Sequence, residues 1–178
     1  MRPALSSTTI RALFLVALVA SGARADRCVP VRTTIVSTYS LGPDCASPVG
    51  VCTVGSVVSP SFAGTSRFTA MTISPGPSPD LLLYSGELVI TTGAGTITIR
   101  DHGFLNSATA QYLEVQQIVA GTGAYAGTTG MLMSRGISTS TGYQGTLNGA
   151  VCGPSIPVVR LFPPGGVHAT GGPQPRQN

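Results

Sequence analysis

Few side chains in this sequence can do acid–base chemistry, and most of them cluster in one region. Tyr84 and Glu87 stand in "LYSGELV", Arg100, Asp101 and His102 in "RDHG", and Glu114 in "QYLEVQQ". His102 and His168 are the only histidines, and neither has a neighbour at metal-ligand spacing, so a zinc site is not expected. No G-x-S-x-G occurs, and a Ser-His-Asp arrangement would have to use His102 beside Asp101. Adjacent residues of a strand point to opposite faces, so these two cannot orient each other, and His102 reads as a strand-end surface residue. The chain has no lysine, which removes Schiff-base chemistry and a P-loop.

Asp101 is then the best single candidate for a functional or catalytic group. Alternation along a strand places it with Ile97 and Ile99, facing inward, and a buried carboxylate must be paired or shift its pKa upward. The alternative is a strand-end acid that reaches solvent. Arg100 shares the other face with Thr98 and His102. Tyr84 and Glu87 fall on opposite faces unless Gly86 marks a bulge. In the next segment Leu113, Val115, Gln117 and Val119 form a greasier row than Tyr112, Glu114, Gln116 and Ile118. The greasier row is expected in the core. Glu114 is then outside, with Arg100 as a cross-strand partner worth ~0.2–1 kcal/mol. So few inward acids and bases argue against general acid–base work.

The elements that must position these residues are strands. Beyond residue 25 no stretch keeps apolar residues at helical spacing for three turns, while alternation rich in Val, Ile, Thr and Tyr dominates. Eight strands are predicted, at 31–39, 51–58, 64–74, 81–91, 95–102, 112–121, 129–139 and 143–152. Turn chemistry separates them, as in "SPGPSPD", "TGAG" and "STSTG". Short strands with close turns predict an all-β fold, an antiparallel up-and-down barrel or a sandwich. Closure removes the edges an open sheet would expose, and a covalent link between the first and last strands fits a closed barrel better.

That link comes from cysteine arithmetic. Cys28, Cys45, Cys52 and Cys152 are four thiols, for which three connectivities exist. Cys45–Cys52 is favoured because "ASPVGV" between them can turn the chain back, and Cys28–Cys152 because it would join the two end strands. By loop entropy the long link contributes ~4–5 kcal/mol and the short one less.

Residues 1–25 have the order of a secretory signal peptide: Arg2 and Arg11, an apolar run over 12–20, and Ala23-Arg24-Ala25 as a cleavage site. The run is about half the roughly 20 residues of a membrane span, so no stable membrane anchor is expected. Acylation at Cys28 is disfavoured by Asp26 and Arg27. The chain is expected in the periplasm or outside the cell, where disulfides form. After the leader, seven scattered arginines face six acids, which gives no basic patch for nucleic acid. Residues 26–152 form one domain. Residues 153–178 are rich in Pro and Gly and read as a largely disordered tail, in which 158–162 could pack on the barrel.

"GTGAYAGTTG" at residues 121–130 poses a choice between a ligand cradle and a corner. A phosphate cradle needs glycines that open a helix; here they open a strand. Gly121 and Gly123 suit a tight turn, Gly127 and Gly130 a bent re-entry, and Tyr125 would plug the barrel end. This stretch resembles the G-[ST]-G-x-[FY]-x-G-x-x-G signature of allene oxide cyclase-like and dirigent-like barrels. "CASPVGVCT", "SGELVITTGAGTITIRDHG" and "GTLNGAVC" are similar to segments of its small secreted bacterial members, over residues 28–152. The resemblance implies a closed eight-stranded barrel with an apolar interior, sometimes trimeric, and no cofactor. Plant members cyclise an epoxide fatty acid or steer radical coupling, and their catalytic residues find no match here. Three functions follow as expectations: a non-catalytic binder of a small hydrophobic ligand, which is favoured; a cofactor-independent cyclase or isomerase; or a barrel packed solid with a structural role.

Overall fold

Alternating side chains need one dry face, and eight such strands provide it by closing on themselves. The structure, a computed structural model, describes residues 27–58 and 63–154. Its strands are β1 Arg27–Tyr39, β2 Cys52–Val58, β3 Gly64–Pro75, β4 Leu81–Thr92, β5 Gly95–Asn106, β6 Gln111–Gly121, β7 Thr129–Ser138 and β8 Gly142–Gly153. Each pairs antiparallel with the next, and β8 pairs with β1 to complete a closed barrel. All eight expected strands are present. The largest extensions are at the start of β1 and the end of β5, where pairing with β8 and β6 carries the ladder onward.

Closure is both hydrogen-bonded and covalent. Cys28 lies directly opposite Cys152 in the β1–β8 ladder, and the two are joined. That bond excludes acylation at Cys28. Cys45 and Cys52 form the second disulfide, clamping the β1–β2 connection. Both pairings are the expected ones. Two disulfides accord with an oxidising compartment. The leader and residues 155–178, including the segment at 158–162 and His168, lie outside the described residues.

The barrel interior differs from one end to the other. At the end where β1 starts and β8 finishes, Val31, Val57, Ile90, Ile97, Ile118, Leu147 and Val151 pack into a continuous core. Full burial of one such side chain is worth about 1.5–3 kcal/mol. Tyr125 joins this core from a one-turn 3-10 helix at Gly123–Tyr125, and so plugs this end. The glycine stretch is a corner, as expected. Gly123 and Gly127 occupy left-handed backbone (φ 59° and 72°), which glycine adopts without strain. Gly121 and Gly130 are sites of close approach, where a Cβ would collide with the carbonyl oxygens of Tyr125 and Ala150.

Two bulges adjust the register. One inserts Met71 in β3 opposite β4, so Gly86 sits beside a bulge that lies in the partner strand. The other inserts Val119 in β6 opposite β5. In β6 the inward row is Tyr112, Glu114, Gln116 and Ile118, whereas Val115 and Val119 are exposed. The expectation that the greasier row faces the core, with Glu114 outside against Arg100, is overturned. The barrel tolerates apolar groups on its surface and reserves this part of its interior for polar ones. Arg100 stands opposite Glu87 and Gln117 instead.

Candidate functional site

The half of the barrel away from Tyr125 is hollow. A cavity of about 240 Å³ opens there, with Tyr39, Ile73, Leu82, Leu105 and Tyr143 among its walls and Asp101, Glu114, Gln116 and Ser134 toward its base. Its lining carries two carboxyls and no arginine, lysine or histidine.

Strand register assembles the polar group. Asp101 of β5 is opposite Gln116 of β6, and Glu114 of β6 is opposite Gly103 of β5. Gly103 in turn faces Tyr84 of β4. A Cβ on Gly103 would fall 2.8 Å from Glu114 Cγ and 3.0 Å from Tyr84 Cζ, so its bare backbone leaves these two side chains room to meet. Gly86, opposite Asp101, likewise yields its space to the Phe68 ring. Tyr84 donates its phenol hydrogen to Glu114 Oε1 at 2.8 Å, and Gln116 Nε2 donates to Glu114 Oε2 at 3.0 Å. Ser134 Oγ donates to the Tyr112 phenol at 3.3 Å. Tyr112, Tyr143 and Tyr39 then continue as edge-to-face rings with centroids 5.5 and 5.6 Å apart.

The two carboxyls are perturbed chiefly by the same cause, burial. Burial raises Asp101 well above the usual carboxylate range, the charge of Glu114 raises it further, and a hydrogen bond from Gln116 pulls partly the other way. Burial also raises Glu114, but hydrogen bonds from Tyr84, Ser134 and Gln116 oppose the shift. Both hold their protons to higher pH than an exposed carboxyl does, as one coupled pair. Burial also raises the Tyr84 phenol, with Glu114 adding to it, and pushes Tyr112 up to about 12. Asp101 Oδ1 and Gln116 Oε1 are buried acceptors without a hydrogen-bond partner among the described residues.

Asp101 is therefore where its spacing with Ile97 and Ile99 put it, inside and almost fully buried, rather than a strand-end acid in solvent. His102 points outward and is exposed, as expected. Tyr84 faces the cavity and Glu87 the outside, on opposite faces as read. Sequence reasoning missed Glu114, Tyr112, Gln116 and Ser134. The available signal was Tyr112-x-Glu114-x-Gln116-x-Ile118, a polar row that ends on an aliphatic anchor. No group of three or more His, Cys, Asp or Glu residues that could hold a metal occurs among the described residues. The arrangement can hydrogen-bond a small molecule's polar head while enclosing an apolar body, or exchange a proton with it. No family model matches the chain, and no curated protein matches it either.

Proposed function

We propose that this chain is an exported barrel that binds a small, mostly apolar molecule inside its hollow half. The observation that carries the reading is the cavity with aromatic and aliphatic walls and one polar cluster, the composition of small-molecule sites in general. A barrel filled solid by its own side chains would have no such space. The glycine corner, the end-to-end disulfide and the eight-stranded closure support kinship with the allene oxide cyclase-like barrels. The leader-like residues 1–25 and the two disulfides support export.

Catalysis is the second reading, and the buried carboxyl pair favours it. Asp101 and Glu114 are inward carboxyls whose proton affinities burial raises together, Asp101 further by the charge of Glu114, and a coupled pair of acids can share the roles of acid and base. A cofactor-independent isomerisation or cyclisation would use them so. New isomers in a lipid or polyketide extract incubated with the protein would support it, and unchanged composition would exclude it for those compounds.

The binding reading is tested by filling the cavity. Ala70 is buried and lines it, so Ala70→Leu adds three carbons into open space. Titration calorimetry with 2-phenylethanol is expected to show binding to the wild type and a loss of about tenfold or more in the variant, roughly 1.4 kcal/mol. The variant should keep its far-ultraviolet spectrum. Equal binding by both proteins would place the ligand elsewhere.

A further inference from the structure

The polar atoms at the base of the cavity constrain the head group of its ligand, and this inference rests on the binding reading above. Glu114 accepts from both Tyr84 and Gln116, which leaves the carboxylate engaged. Gln116 donates to Asp101 as well as to Glu114, and its Oε1 is an acceptor. On the adjoining strand, directly across the ladder, stands Asp101 with Oδ1. Asp101 Oδ1 and Gln116 Oε1 are each buried without a hydrogen-bond partner among the described residues.

A ligand group that donates more than once suits a site with several acceptors best. A carboxylate donates nothing and an alcohol once, whereas a primary ammonium donates up to three times. Charge points the same way. The cavity holds two carboxyls and no cationic side chain, and an apolar enclosure makes that imbalance felt more strongly than water would. The rings of Phe68, Tyr84, Tyr112 and Tyr143 line the same space, and their faces attract cations while packing on apolar groups. We propose that the cavity selects a primary amine in its protonated form, carried on a small apolar or aryl body, with the ammonium seated beside the carboxyl pair at the cavity base.

An ammonium beside Asp101 also favours the ionised carboxylate, so amine binding releases a proton wherever the free protein holds one there. The groups that face Asp101 and share in this titration are Glu114, Tyr84 and Tyr112.

The experiment compares probes of matched shape on the full exported chain with its disulfides intact. These are 2-phenylethylamine, 2-phenylethanol and 3-phenylpropionate, titrated calorimetrically near neutral pH, with N,N,N-trimethyl-2-phenylethylammonium as a cation that has no N–H. The amine is expected to bind at least about tenfold more tightly than the alcohol, a difference of roughly 1.4 kcal/mol. The carboxylate is expected to bind most weakly, and the quaternary cation to lose most of the amine's advantage. In Asp101→Asn the amine-to-alcohol ratio is expected to collapse toward one. Should that variant not fold, the wild-type series decides alone. An alcohol that binds as tightly as the amine, or an amine preference that survives in both Asp101→Asn and Glu114→Gln, overturns the assignment and leaves the binding reading standing. If none of the probes binds the wild type, both readings fall together.

Discussion

At the scale of single residues, the two inward carboxyls make a liability that has a measurable sign. In an unfolded chain Asp and Glu lose their protons near pH 4. In the barrel, burial raises both, and the charge of Glu114 raises Asp101 further. As pH rises above about 4, the unfolded chain therefore binds fewer protons than the folded one, and stability falls until the raised folded values are passed. The melting temperature is expected to be highest on the acid side and to decline toward pH 8. Asp101→Asn, which removes the buried ionisation but keeps the shape, should flatten that decline. At about pH 8 it should exceed the wild type by ~1–3 kcal/mol, the usual cost of an unsatisfied buried polar group. Thermal melts at a series of pH values check this, and a wild-type melting temperature that climbs from pH 4 to 8 contradicts it. Asp101 could be picked out beforehand because Ile97 and Ile99 flank it at strand spacing and leave only one face for it. Glu114 had no such neighbours. Its row mixes Tyr112 and Gln116 with Ile118, and nothing local says that the cavity needs them.

Individual strands show why alternation alone assigned most faces and misassigned one. β4 and β5 each carry an unbroken aliphatic row, Leu88–Ile90 and Ile97–Ile99 at every second residue, which only the core can hide. Strand existence and order were therefore legible, while the start of β1 and the end of β5 each ran four residues further than expected. β6 turns its greasier row, Leu113, Val115, Gln117 and Val119, away from the interior. The choice between its two rows depends on the bulge at Val119 and on a partner strand that local sequence does not contain. The same holds for Gly103 and Gly86, whose lack of a side chain matters only because Glu114, Tyr84 and Phe68 cross over them. A pair of substitutions tests the observed facing of β6. Val115→Gln lies on the outer surface and should change stability by no more than about 0.5 kcal/mol. Ile118→Gln puts an amide into the packed end among Ile97, Ile99 and Leu132, and should cost roughly 3 kcal/mol or more, from lost packing and an unpaired polar group. Urea titrations of both variants give the comparison directly. Equal costs, or the reverse order, would mean that Val115 and not Ile118 faces inward.

For the molecule as a whole, one end is built for stability and the other for an occupant, and this division has to be held by closure. The solid end supplies the apolar burial, while the hollow end forgoes it over the volume of the cavity. A barrel that opened at the β1–β8 seam would expose two edges, as it would at any other ladder. The Cys28–Cys152 link spans that seam with a sequence separation of 124, whereas Cys45–Cys52 closes a separation of only 7. Restriction of the unfolded chain scales with the logarithm of the loop, which gives ~5 kcal/mol for the long link and ~2 kcal/mol for the short one. Replacing Cys28 and Cys152 by serine should therefore lower the unfolding free energy about twice as much as replacing Cys45 and Cys52. Loss of the second pair should weaken binding of an interior probe more, because Val51 and Thr53 on either side of Cys52 line the cavity whereas Cys28–Cys152 lies at the packed end. Denaturant titrations of the two double variants, each repeated with saturating 2-phenylethanol, separate these effects. A short-loop variant that loses as much stability as the long-loop one would show that the stabilisation comes from local geometry around the β1–β2 connection rather than from holding the cylinder shut.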